Sequence, residues 1–362
     1  MNRLRLVLLA VLAVAAAAVA GRSAAAGTSL HDFVYTETNS AAGNAIAVYA
    51  TAPDGTLVPQ GTVPTGGLGT GAALASQGSV LVRGSQLYAV NAGDDTISAF
   101  RLGSDGSLTL EGAPVPSGGT DPISLTAHGR LLYVLDAGSL TISGFSTGDG
   151  GLSPLVGSTR PLSGGAASPE QIGFSPDGRV LVVTEKASNT IDTFAVGPGG
   201  VAGPARSNPS TGAGPYGFGF DNQGDLLVTD AVTGAVTSYT VGDNGSLSLL
   251  DGPVSTNGQA APCWLVTAGG GRFAYSANTG SGTISGFGVH NGQLALLDPS
   301  GVGATSGSSP FDLAVSRDGH FLYNLASVSH ELAAFRLGSD GTLAPAGKVP
   351  GLPPSDSGLA TG

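Results

Sequence analysis

Thr96-Ile97-Ser98-Ala99-Phe100 returns along the chain as Thr141-Ile142-Ser143-Gly144-Phe145, Thr190-Ile191-Asp192-Thr193-Phe194 and Thr283-Ile284-Ser285-Gly286-Phe287. Looser copies stand at Ala45-Ile46-Ala47-Val48-Tyr49, Ala235-Val236-Thr237-Ser238-Tyr239 and Leu332-Ala333-Ala334-Phe335. The closing aromatics fall at positions 49, 100, 145, 194, 239, 287 and 335, so the spacing stays between 45 and 51 residues. Self-similarity at a fixed period of this length marks a repeat architecture, not two domains joined by a linker.

The flanks of each copy carry the same grammar. Upstream, a proline opens a short run: Pro122-Ile123-Ser124-Leu125, Pro169-Glu170-Gln171-Ile172, Pro215-Tyr216-Gly217-Phe218, Pro262-Cys263-Trp264-Leu265 and Pro310-Phe311-Asp312-Leu313. A β-branched and aromatic run follows, as in Leu132-Tyr133-Val134-Leu135 and Leu181-Val182-Val183-Thr184. Downstream comes a turn pair, Asp54-Gly55, Asp105-Gly106, Asp149-Gly150, Gly199-Gly200, Asn244-Gly245, Asn291-Gly292 or Asp340-Gly341, which supplies the positive φ of a two-residue hairpin. A leucine shortly afterwards (Leu57, Leu108, Leu152, Leu343) starts a fourth strand. Four antiparallel strands per unit of this length is the arithmetic of a propeller blade. The fold expected is all-β: a seven-bladed β-propeller with no sustained helical periodicity. Phe33-Val34-Tyr35 reads as a second strand and Gly358-Leu359-Ala360 as an innermost one, so the C-terminal strand is expected to close the first blade and hide an open edge.

Arg3, Arg5, the apolar run Leu6 to Ala20 and the small residues Ala24-Ala25-Ala26 read as an export signal over 1–26, leaving one propeller domain over 27–362. Export implies a secreted, extracellular or periplasmic protein with no membrane span in its mature form. Removing Arg3, Arg5 and Arg22 from the 14 basic residues leaves 11 against 25 acidic ones, a formal charge of −14. Such a surface repels phosphate backbones, which argues against nucleic acid as a partner. Cys263 is the single cysteine, so no disulfide can form within the chain. The five histidines are scattered and lack metal-ligand spacing. No metal and no cofactor are expected, and a monomer is.

In a blade the start of the first strand and the end of the second share one rim. Two columns of candidates meet there: Ser124, Gln171, Gly217, Trp264 and Asp312 on the first strands, and Thr38, Asn91, Asp136, Glu185, Asp230, Asn278 and Ala326 on the second. Asn91, Asp136, Asp230 and Asn278 repeat, which suits bonds to their own loop backbone. Departures from the repeat point to chemistry. Glu185, beside Lys186 and close to Glu170 and Gln171, suits a general base if burial raises its pKa; an exposed ion pair with Lys186 is the competing reading. Trp264, the only tryptophan, suits either stacking on a ligand ring or packing between blades. Lys186, Trp264, Asp136, Asp230, Asn278 and Asp312 are the ligand-binding candidates.

The run Ser168-Pro169-Glu170-Gln171-Ile172-Gly173-Phe174-Ser175-Pro176-Asp177-Gly178-Arg179, continuing through Thr184-Glu185-Lys186 to Phe194, resembles the seven-bladed lactonase family, with its 6-phosphogluconolactonases and carboxymuconate-lactonizing enzymes. The resemblance spans nearly the whole mature chain. It implies a lactone-hydrolysing site at the channel rim, with Glu185 in the place of the family glutamate as the catalytic base. The family's Arg-His pair is replaced by Glu170-Gln171, so the implied acid/base and anion-binding groups are missing. Two functions stay open. One is a hydrolase for a small neutral lactone, with Glu185 activating water and Gln171 or backbone amides holding the oxyanion. The other is a non-catalytic extracellular binding propeller for a carbohydrate or protein partner.

Overall fold

A computed structural model describes residues 32–148, 151–165 and 167–362. The expected leader, 1–26, and the turn pair Asp149-Gly150 lie outside them. Seven antiparallel sheets are arranged as blades, each running from an innermost strand outward. Blades 2 to 7 begin with the strands Val80–Arg83, Pro122–His128, Pro169–Phe174, Pro215–Phe220, Pro262–Ala268 and Pro310–Val315. Three blades have an outer strand broken in two, as in Gly151–Pro154 and Arg160–Pro161 of blade 3. Among the described residues the only helical element is one 3₁₀ turn, Pro198–Gly200. None of their helices is long and apolar enough to cross a membrane.

Blade 1 is built from both ends of the chain. Its inner strand is Ser357–Thr361, paired with Asp32–Glu37, then Ala45–Thr51 and Leu57–Pro64 outside. Phe33 and Gly362 exchange both backbone hydrogen bonds at 3.0 Å. The ring is closed as the sequence predicts, and the edge that the first blade would otherwise expose is paired.

The core lies between the blades. Each sheet packs its neighbours on both faces, so second strands are buried along their length, as in Val180–Glu185. They read as continuous apolar runs, not as an alternation. Tyr133, Phe145, Phe174 and Phe194 fill the seam of blades 3 and 4, where burial of each large side chain contributes about 1.5–3 kcal/mol. Second-strand tyrosines also peg one blade to the next: the hydroxyls of Tyr35, Tyr133 and Tyr275 donate to the carbonyls of Gly106, Gly200 and Gly341 at 3.2, 2.7 and 2.8 Å.

The turn pairs differ from the expectation in one respect. Among the described turn pairs only Asn291-Gly292, with φ of 51° and 71° and His290 paired to Gln293, is a two-residue hairpin with both residues left-handed. At Asp54, Asp105, Asn244 and Asp340 only the glycine is left-handed. There the Asx side chain accepts the amide two residues on, at 2.9–3.1 Å, and fixes a longer loop.

Candidate functional site

The two predicted columns do share one rim: Pro122 pairs with Asp136, Pro169 with Glu185, Pro215 with Asp230 and Pro262 with Asn278. Their side chains nevertheless face different surroundings. The second-strand column is sealed. The loop arriving from the preceding blade lays a glycine over four of these residues, so closely that a Cβ on Gly67, Gly119, Gly164 or Gly212 would come within 2.1–2.6 Å of the side chain of Asn91, Asp136, Glu185 or Asp230. Asn91, Asp136, Glu185, Asp230 and Asn278 are all fully buried.

Asn91, Asp230 and Asn278 bond third-strand hydroxyls, not their own loops, while both carboxyl oxygens of Asp136 have no partner. Asn278 donates to Thr283 Oγ1 and Ser285 Oγ at 3.0 and 2.8 Å, and Asp230 accepts from Thr237 Oγ1 at 2.5 Å. Burial pushes the carboxyls of Asp136 and Asp230 up to about 7.

Glu185 belongs to this sealed layer. It accepts from Ser188 Oγ at 2.7 Å and lies beside Asp192, whose carboxylate accepts the amide and hydroxyl of Ser163 at 2.6 Å each. Burial, then the neighbouring Asp192, pushes Glu185 up to about 8. The elevated pKa expected of a base is present, yet the carboxyl has no path to a ligand, and it forms no ion pair with Lys186. Sequence reasoning missed this because the cover comes from residues 163–164, on the previous repeat.

The first-strand column frames the axial channel, and there a second element intervenes. Blade 2 has no proline-led start. Instead the segment Leu74 to Gly78 crosses the channel mouth as a strap. Gln77 reaches blade 6, accepting from Leu265 N at 3.1 Å and donating to Leu265 O at 2.8 Å. Trp264 Nε1 donates to Ser76 O at 3.0 Å, and Tyr216 OH to Ala75 O at 2.7 Å. Ser124 Oγ donates to Gln77 O at 2.5 Å, and Gln77 N to Glu170 O at 3.1 Å.

The strap explains two candidates. Trp264 is 1% exposed, packed 4.4 Å from the Phe311 ring and 5.1 Å from that of Tyr216, so no face is free for a ligand. Glu170 is buried, accepts from Ser168 Oγ at 3.1 Å and is pushed up to about 7 by burial, an effect that nearby Lys186 opposes. Lys186 itself is exposed, its ammonium 5.2 Å from the Tyr216 ring.

Below the strap the channel holds a cavity of about 360 Å³. Its wall mixes apolar side chains, with Leu125, Phe174, Phe218 and Phe220 prominent, and polar ones, Gln77, Thr126, Gln171, Asp312 and Thr361, and its described lining contains no lysine, arginine or histidine. Two of the predicted residues meet here, Gln171 and Asp312. Gln171 braces the next blade by donating to Phe218 O at 3.1 Å and accepting from Phe218 N at 2.7 Å.

Asp312 accepts the amide of Leu313 through Oδ1 at 2.7 Å, while its buried Oδ2 has no protein partner. Burial holds this carboxyl well above the usual carboxylate range. It is the one titratable side chain among the described residues that line the cavity. No cluster of metal-ligating side chains occurs among the described residues. The wall therefore offers apolar side chains, a carboxylic O–H, two glutamines and two threonines, and no fixed positive charge.

Comparison with known proteins places this architecture. A family model described as lactonase, 7-bladed beta-propeller, matches residues 83–233. No curated protein matches the chain. Among solved structures, a Bacteroides uniformis protein crystallised as a candidate 6-phosphogluconolactonase superposes with a TM-score of 0.74 at 19% identity, covering 90% of this chain and 98% of that one. The periplasmic gluconolactonase of Pseudomonas aeruginosa gives 0.70 at 20%, covering 92% of this chain and 99% of that one. Virginiamycin B lyase from Staphylococcus aureus gives 0.53 at 14%, covering 76% and 84%. The same architecture thus carries differently named activities, and the chemistry has to be argued from the cavity.

Proposed function

Since the chain has the seven-bladed propeller fold of the lactonase family, we propose that it is an exported protein whose channel binds a compact, uncharged ring compound bearing a carbonyl, a lactone being the natural class. The observation that carries this reading is Asp312, a buried carboxyl with an unpartnered oxygen and the one titratable group on a wall that otherwise holds apolar side chains, glutamines and threonines. Held protonated, it donates a hydrogen bond to a carbonyl oxygen. An anionic ligand would lose its hydration without gaining a cation, which disfavours phosphorylated or carboxylated lactones. The leader-like residues 1–26 support export.

Hydrolysis of the bound lactone is the second reading, and Asp312 favours it too: once ionised, the same carboxyl is positioned to take a proton from water. One experiment separates the two. Titration calorimetry with neutral γ- and δ-lactones and their ring-opened hydroxy acids is run beside an assay of acid release. Binding alone predicts preference for the closed ring and no acid release. It also predicts a loss of about tenfold in affinity for Asp312→Ala, with Asp312→Asn, which keeps a donor, within about threefold of the parent. Acid release by the parent that Asp312→Asn abolishes would establish hydrolysis. Lactones that bind neither parent nor variants would end both readings.

A further inference from the structure

The strap and the blade it reaches depart from the repeat in complementary ways. In blade 4 the residue two places after the proline, Gln171, clamps the amide and carbonyl of Phe218 on the next blade. The equivalent residue of blade 5 is Gly217, which has no side chain to clamp Leu265 on blade 6. Gln77 supplies the same two hydrogen bonds from across the channel, and a Cβ on Gly217 would lie 2.6 Å from Gln77 Oε1. The glycine is the socket and the glutamine the plug.

Tyr216 and Trp264 flank the socket and hold the strap's next two carbonyls. The other end is tied to blade 1, where Leu74 N donates to Ser357 Oγ at 2.7 Å. The strap thus touches blades on opposite sides of the ring with six of its backbone groups bonded to other blades, which a surface loop passing by chance does not achieve.

We infer that the channel is a blind pocket, permanently sealed where the first strands begin, and that its ligand enters only through the opposite mouth, where the first strands end beside Val82, Phe174, Phe220 and Thr361. This deepens the reading of the channel as the binding site and adds a limit on the occupant. A polymer cannot thread the ring, so only a compact molecule, or the end of a longer one, can be accommodated.

The test needs no ligand, so its failure is separable from failure of the proposed function. In a Cys263→Ser background, Ala314→Cys places a thiol on the channel wall, and N-ethylmaleimide, small and neutral, is the probe. Val82→Trp narrows the open mouth and is expected to slow labelling at least tenfold. Adding Gln77→Ala and Trp264→Phe, which release the strap, is expected to restore it through the other mouth. Labelling unchanged by Val82→Trp in a folded variant would overturn the inference. Amide hydrogen exchange on the unmodified chain gives an independent reading. A permanent seal predicts Gln77 and Leu265 amides as slow as those of the inner strands, and exchange within seconds at either would overturn it.

Discussion

Asp136 ends a second strand and Asp312 lies near the start of a first strand, and both are buried carboxyls with unpartnered oxygens and raised pKa values. Asp136 lies under Gly119, beneath a loop that leaves no room for a methyl group. Asp312 lies on the wall of a cavity of about 360 Å³. A perturbed carboxyl is a common mark of a functional group, but here that mark is shared by a whole layer of structural residues. Space beside the carboxyl distinguishes the two, not titration.

The sealed layer has the larger consequence for the protein as a whole. Glu37, Glu185 and Asp356 are pushed up to about 8, and Asp136, Glu170 and Asp230 to about 7, in each case mainly by burial. Unfolding returns them to ordinary carboxylates. Between roughly pH 4 and pH 8 the folded chain therefore holds more protons than the unfolded one, and its stability falls as pH rises. Below the unfolded values that contribution is fully present; it is lost as pH climbs through 7 to 8. The melting temperature at pH 5 is expected to exceed that at pH 9 by more than about 10 °C, checked by calorimetry across buffers of equal ionic strength. A melting temperature that rises with pH would break the comparison at its root, since both Asp136 and Asp312 would then be ionised in the folded protein.

The strap gives the next largest effect. Trp264→Ala removes a fully buried indole, its bond to Ser76 O and its packing on Phe311 and Tyr216. Loss of an aromatic of this kind costs about 3–5 kcal/mol. A fall of about 5–10 °C in melting temperature is expected, measured by circular dichroism. Gln77→Ala is the sharper companion. It removes both side-chain bonds to Leu265, so it is expected to speed exchange of the Leu265 amide while the amides of Phe218 and Ile172 stay protected. Uniform loss of protection across the ring would mean that the strap is merely part of the core.

The sequence made the ring legible because the repeat writes every strand several times over. The period sets the blade count, Phe33-Val34-Tyr35 and Gly358-Leu359-Ala360 announce closure, and Leu57, Leu108 and Leu343 begin outer strands where expected. Of the site, Gln171 and Asp312 were legible as first-strand positions, and both reach the cavity. Glu185 and Trp264 were legible as departures but not as enclosed, because their covers, residues 163–164 and Ala75-Ser76, belong to other repeats. The strap itself left a signal by omission. Five blades open on a proline, whereas blade 2 reads Ser76-Gln77-Gly78-Ser79 in that place, and the only glycine in the column, Gly217, faces it. A missing copy is harder to notice than a present one, and the pairing across 188 positions of Gln77 with Leu265 has no local signature.

The smallest expected effect is also the most discriminating for the two carboxyl populations. Glu185→Gln replaces an enclosed carboxyl by an amide of the same shape, leaving Ser188 Oγ an oxygen to bond and placing an N–H beside Asp192. Lactone affinity and any acid release are expected to stay within about twofold of the parent, because no ligand reaches this side chain. Stability responds instead: at pH 9 the parent must ionise Glu185 next to Asp192 or keep it protonated at a cost, and the amide does neither. The melting temperature of Glu185→Gln is therefore expected to gain on the parent as pH rises from 6 to 9, by about 1–3 °C. A selective collapse of turnover in this variant, with stability intact, would reassign the catalytic base to the sealed layer and require the loop carrying Gly164 to open. Asp312→Asn completes the contrast, since its effect is to fall on the ligand and not on the pH dependence of this pair.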